Sequence, residues 1–157
     1  MTDYSETEFE DPLSDYEPAT YESPCEEALA EKLVNDIDAQ PMITASPDLT
    51  VSEAIHKLRE AKISSLLIVD EGKLLGIFTE RDILEKAADH YAAVAERPVT
   101  EFMTSDPLVV HTSDPASTAL AAIAVAGYRH VPVMDGTAVV GILSPRRVFS
   151  FLESADH

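Results

Sequence analysis

The apolar positions of the chain alternate between helical spacing and short continuous runs, and do so twice. Val51, Ala54, Ile55 and Leu58 recur at i, i+3, i+4 and i+7, the spacing of a helix with one buried face. Ala116, Ala119, Leu120 and Ile123 repeat that spacing further on. Both helices have marked starts: Thr50 with Glu53 forms a capping box, and Asp114 followed by Pro115 gives the same signal in the second. The run Leu66 to Val69, the turn Asp70-Glu71-Gly72 and the run Lys73 to Phe78 predict a β-hairpin. Val131 to Met134, Asp135-Gly136-Thr137 and Ala138 to Leu143 predict another. Short strands are expected at Met42 to Thr44 and Leu108 to Val110, and closing helices from Glu80 and Pro145. Upstream, Ser23-Pro24-Cys25-Glu26-Glu27 reads as an N-cap, a first-turn proline and first-turn acids, predicting a helix over 24–36.

A shift of 65 residues lays 43–84 on 108–149 without a gap. Asp70, Gly76, Ile77 and Arg81 then fall on Asp135, Gly141, Ile142 and Arg146. The chain therefore carries two copies of a β-α-β-β-α unit, an α+β fold. A unit of about 60 residues has too small a core to stand alone, so the two are expected to pack through their sheets with pseudo-twofold symmetry and clefts between them. The organisation that follows is an acidic disordered tail over 1–22, a leading helix and linker over 23–40, repeat 1 over 41–97 and repeat 2 over 98–157.

Charge removes several classes of partner. The chain has 29 acids against 11 Lys and Arg, a net −18, whereas nucleic acid and anionic lipid reward clustered bases. Residues 1–40 alone hold 13 acids and one base. Residues 1–22 have eight acids and no base, so this stretch is read as a solvating tail; its Phe9, Leu13, Tyr16 and Tyr21 are alternatively a docking motif for a basic partner. The longest helix-like apolar stretch, Ala119 to Gly127, falls far short of the roughly 20 residues that span a bilayer. An acidic start and one cysteine, Cys25, point to the reducing cytoplasm. Catalytic chemistry has no clear seat: acids flank Cys25, and His56, His90, His111, His130 and His157 lack paired metal-ligand spacing. No metal, no catalytic cofactor and no enzyme activity are expected.

The patterns Ile68-Val69-Asp70-x-x-x-x-Leu75-Gly76-Ile77-Phe78-Thr79-x-x-Asp82 and Tyr128-Arg129-His130-Val131-Pro132-Val133-x-Asp135 resemble a tandem pair of cystathionine-β-synthase (CBS) domains, a Bateman module, over roughly 38–155. That resemblance implies a regulatory module that takes an adenosine-containing ligand (AMP, ADP, ATP or S-adenosylmethionine) between its repeats. It implies that Asp82 holds the ribose hydroxyls with help from Thr79; a carboxylate reads a cis-diol with two bonds at once. The same Thr-x-x-Asp is also a helix cap, and both readings stand at this point. Arg129 and His130 are expected on the phosphates, or else paired with surface acids. Ile43, Ile63, Ser64 and Ser65 are expected around adenine, with the two isoleucines serving equally as core. In the second cleft Ser144-Pro145-Arg146-Arg147 puts arginine where the family has its ribose aspartate, so one nucleotide per chain is expected. A homodimer is expected through Ala119, Leu120, Ala122, Ile123, Val125 and Ala126, with a regulated protein supplied in trans. The competing readings are a ligand-free dimerisation or docking scaffold, and a sensor of S-adenosylmethionine or methylthioadenosine.

Overall fold

A computed structural model describes residues 15–157; the first part of the acidic tail, with Phe9 and Leu13, lies outside the described residues. Residues 15–22 form neither helix nor strand, and the Tyr21 hydroxyl donates to Glu31, which raises the phenol to about 12.

Helix α1 spans Pro24–Glu31, capped by Ser23 Oγ, which accepts from the Glu26 amide at 3.1 Å. It stops five residues short of the expected end because repeat 2 claims the next backbone groups. Val34 and Asn35 donate to the carbonyls of Asp114 and Thr112, at 2.8 and 3.1 Å. Then come β1 (Thr44–Ala45), α2 (Val51–Ala61), β2 (Ser65–Asp70), β3 (Lys73–Thr79), α3 (Glu80–Lys86) and a short α4 (Tyr91–Val94). Repeat 2 supplies β4 (Thr104–Ser105), β5 (Val110–His111), α5 (Ala116–Leu120), β6 (Val131–Asp135), β7 (Ala138–Leu143) and α6 (Pro145–Ala155). Two features are not periodic in the sequence: β4, and the widening of α5 into a π-helical stretch over Ala121–Val125.

The strands form a four-stranded sheet, β1-β2-β3-β4, and a three-stranded sheet, β5-β6-β7. In each, the first pair is parallel and the hairpin antiparallel. The β2–β3 turn places Glu71 and Gly72 both at positive φ, 49° and 78°, as a two-residue turn between twisted strands requires. Each hairpin carries a register shift at the equivalent place, Ile68/Val69 and Val133/Met134. Each repeat has its own apolar cluster, the first around Phe78 and Leu66 and the second around Val131 and Leu143. A third cluster, Leu67, Ile77 and Ile142, joins the sheets, and two of its members are repeat-equivalent.

The lead segment of each repeat crosses onto the sheet of the other. Strand β4 extends the first sheet at β3, pairing with Gly76 and Ile77. Ala39 lies over Gly141, and the Ile142 amide donates to its carbonyl at 3.0 Å. A Cβ on Gly76 would come within 2.6 Å of the Thr104 carbonyl oxygen, and one on Gly141 would overlap Ala39. The two repeated glycines are thus sites of close backbone approach.

The apolar surplus of the α5 region is partly consumed internally: Ala119 and Ala122 are buried in the second cluster, with Leu120 and Ile123 packed on it and α1 lying against α5. Val125 is 86% exposed. Among the described residues no helix is long and apolar enough to cross a membrane.

Candidate ligand cleft between the repeats

A cavity of about 650 Å³ opens where α2, α3 and α6 converge. Repeat 1 contributes the last turn of α2, where Lys62 ends the helix in the left-handed conformation and turns the chain through Ile63 and Ser64 into β2. It also contributes Glu80 and Ile83 from the start of α3. Repeat 2 contributes Ser144, Arg146 and Arg147 from the start of α6, together with Ile142 and His130. Pro41 closes one side.

The charge of this cavity opposes that of the chain. Arg59, Lys62, Arg146 and Arg147 line it, four of the 11 Lys and Arg, whereas Glu80 is the single acid in the lining. The N-terminus of α6 adds to the field: Ser144 makes no side-chain cap bond, and the positive end of the helix faces the same space. The Arg147 guanidinium donates to the carbonyls of Gln40 and Pro41, the latter at 3.0 Å. Burial lowers its pKa, but a guanidinium remains charged at any pH the fold meets.

His130 and Ser64 share a hydrogen bond of 2.8 Å that ties repeat 2 to repeat 1 in the cavity. Burial, then the neighbouring Arg129 charge, holds the imidazole below its usual pKa. The ring is therefore neutral near pH 7 and acts as a hydrogen-bonding group.

The eight residues singled out from the sequence fall into four places. Ile63, Ser64, Ser65 and His130 line the cavity together. Ile43 packs against the first apolar cluster, and its carbonyl accepts from the Leu67 amide at 3.0 Å. Thr79 and Asp82 sit at the start of α3 beside Glu80 and Ile83 but do not line the cavity, and neither does the exposed Arg129.

Asp82 is 4% exposed, and its carboxylate is fully engaged. Oδ2 accepts from the Thr79 amide (2.9 Å) and hydroxyl (3.1 Å); Oδ1 accepts from Lys86 Nζ (2.7 Å) and Thr104 Oγ1 (3.1 Å). Thr79 Oγ1 in turn accepts from the Asp82 amide, completing the capping box. About four acceptor positions are all a carboxylate has, and here they hold one helix start, one lysine and the lead strand of repeat 2.

Arg59, Lys62 and Glu80 were not singled out from the sequence, and Ser144, Arg146 and Arg147, expected in a second cleft without a nucleotide, line this cavity instead. The signal for the first two is faint but physical: Ile55, Arg59 and Lys62 lie at i, i+4 and i+7, continuing the apolar face of α2 into a basic end. Among the described residues no group of three His, Cys, Asp or Glu side chains could hold a metal ion.

Two swapped lead segments, two hairpin sheets joined at a small apolar seam and a cleft at their junction define a tandem-repeat α+β module. The CBS domain sequence model matches residues 34–89 and 99–154, and the chain belongs to the CBS domain family. It is 28% identical over 114 residues to the CBS domain-containing protein CBSCBSPB1 of Arabidopsis thaliana, covering 72% of this chain and 21% of that protein. The chain thus spans about a fifth of that relative's length. Among solved structures it resembles the CBS domain pair of protein MJ0100 in complex with 5-methylthioadenosine and S-adenosyl-L-methionine. The identity is 32%, the TM-score is 0.66, and 78% of this chain and 97% of that one are covered. It also resembles CBSX2 in complex with AMP, at 25% identity and a TM-score of 0.69, covering 80% of this chain and 98% of that one.

Proposed function

We propose that this chain is a regulatory CBS pair whose inter-repeat cleft takes an adenine nucleotide (AMP, ADP or ATP) and passes the signal to a partner protein in trans. The observation that carries the reading is the concentration of Arg59, Lys62, Arg146 and Arg147 in one cleft of a chain with net charge −18. Four cations held near one another repel, so the arrangement calls for an anionic occupant. Apolar side chains of Ile55, Leu58, Ile63 and Ile142 line the same cavity and suit a purine, and the volume lies in the range of small-molecule sites.

S-adenosylmethionine and methylthioadenosine occupy one solved relative, but neither carries phosphate, and a sulfonium would meet four like charges here. The nucleotide reading is therefore preferred. A ligand that touches α2 and α3 on one side and α6 on the other binds the two repeats together. It shifts their relative arrangement by its differential affinity for the two states. Leu84 on α3, Phe149 on α6 and Val125 are each exposed apolar side chains, and they are the candidate contacts of a homodimer. The single free cysteine, Cys25, suits a reducing cytoplasm.

The test is isothermal titration of the whole chain with AMP, ADP, ATP, S-adenosylmethionine and methylthioadenosine, beside an Arg59→Ala/Lys62→Ala double variant. Saturable nucleotide binding near one per chain, weakened roughly tenfold or more in the variant and by added salt, is expected. Binding of the sulfur ligands in place of nucleotides, or of none of the five, would overturn the reading; the last result would favour the scaffold.

A further inference from the structure

The chain keeps its acid excess apart from its cationic cleft. Arg81, Lys86 and Arg97 each pair with a carboxylate one helical turn away, Glu85, Asp82 and Glu101, at 2.8, 2.7 and 2.6 Å. Among the described residues none of Arg59, Lys62, Arg146 and Arg147 is in an ion pair, although Glu80 shares their cavity. Four bases without an acid, in a chain that holds 29 acids, mark a surface built for an anion that the described fold does not supply.

An anion of the right chemistry is tethered nearby. Tyr16, Pro18 and Tyr21 lie in a recess with Glu31, Lys32 and Ala155, the last residue of α6, and the Tyr21 hydroxyl donates to Glu31. From Ala155 back to Arg146, at the mouth of the cleft, α6 covers about 14 Å. The chain between Tyr16 and Phe9 spans up to about 24 Å when extended, so the residues around Phe9 reach that mouth with slack. Residues 1–14 carry Asp3, Glu6, Glu8, Glu10 and Asp11 and no base, and Phe9 stands between two carboxylates. The cleft has the complementary make-up, with Ile55 and Ile63 set among its bases.

We infer that the segment Glu6–Asp11 docks in the cleft of its own chain, its carboxylates on Arg59, Lys62 and Arg146 and the Phe9 ring on Ile55 and Ile63. An anionic ligand must displace the segment to enter. The tether holds the segment at an effective concentration on the order of millimolar, so modest intrinsic affinity is enough to compete. The docking stands on the charge of the cleft and the reach of the chain; only the displacement rests on the nucleotide reading.

The experiment is carbodiimide crosslinking of the full chain, which joins a carboxylate to a lysine amine in contact with it. An equal mixture of isotopically labelled and unlabelled chains is used, and the linked peptides are mapped by mass spectrometry. Lys62 is the exposed amine of the cleft, and Lys32, in the recess beside residues 16–21, is the internal control. A variant carrying Glu6→Gln, Glu8→Gln, Glu10→Gln and Asp11→Asn is titrated with ADP beside the unaltered chain. Links from residues 6–11 to Lys62 within one chain, lost in high salt or with ADP, are expected, with ADP bound about threefold or more tighter by the variant. No link to Lys62 would overturn the docking, whatever the ADP result, because a gain in affinity alone reports only the lower net charge. Links that join labelled to unlabelled chains would overturn docking within one chain and give the cleft to a second copy. Links to Lys62 with equal ADP affinity in both chains would overturn the displacement. Links to Lys62 with no ADP binding by either chain would uphold the docking and overturn the nucleotide reading.

Discussion

Asp82→Ala is the substitution that separates the two readings of the Thr-x-x-Asp pattern. The carboxylate fixes the start of α3 through Thr79, anchors Lys86, and holds Thr104 of the lead strand that repeat 2 lays on repeat 1. Loss of the reciprocal cap costs about 1 kcal/mol. Loss of the charge-assisted bonds from Lys86 and Thr104 costs about 1.5–3 kcal/mol more, reduced because the Lys86 side chain is 39% exposed and can turn to water. A total near 2–4 kcal/mol follows, which at a urea dependence of about 2 kcal/mol/M moves the unfolding midpoint down by about 1–2 M. The assay is equilibrium urea unfolding followed by far-ultraviolet circular dichroism, with adenine nucleotide titration of the same preparation. A midpoint that stays within about 0.3 M while nucleotide binding disappears would refute the structural account and give Asp82 to the ribose.

Other outcomes follow from the same geometry. Gly141→Ala forces Ala39 off β7 and is expected to lower stability by about 1–3 kcal/mol in thermal or urea unfolding, more than an alanine at the exposed Gly136 position, although φ is 60° there. The His130 pKa is lower in the fold than in the unfolded chain, so the unfolded state binds more protons on acidification. Stability is therefore full above about pH 6.5 and falls as pH drops below it toward the folded-state value, and His130→Gln flattens that part of the profile. Phe78→Ala removes the largest fully buried side chain of repeat 1 and is expected to cost about 3–5 kcal/mol in urea unfolding.

The chain announces its elements where local chemistry and tertiary demand agree. Thr50 and Glu53 mark the start of α2 in both the pattern and the fold, and Glu71-Gly72 closes the first hairpin where the turn residues place it. The pattern misses where distant backbone takes over. Residues 32–36 read as a continuation of α1, but the Val34 and Asn35 amides donate to the Asp114 and Thr112 carbonyls, and the helix gives way to a single tight turn. Thr104 and Ser105 have no strand periodicity; they are β4 because Gly76 leaves room for another backbone beside β3. The cleft was half legible: Ile63, Ser64, Ser65 and His130 were visible from the resemblance, whereas Arg59, Lys62 and Glu80 acquire meaning only when α2, α3 and α6 converge.

By itself the sequence determined the repeat, the α+β unit within it, the hairpins and the excess of acid, because each is written in a local spacing, in the 65-residue self-match or in a count. Tertiary structure alone decided that the lead segments exchange sheets, that Asp82 is enclosed by its own neighbours, and that four scattered bases face one cavity. Those outcomes depend on which surfaces meet across separations from 22 to 106 residues of chain, and a local pattern carries no record of that.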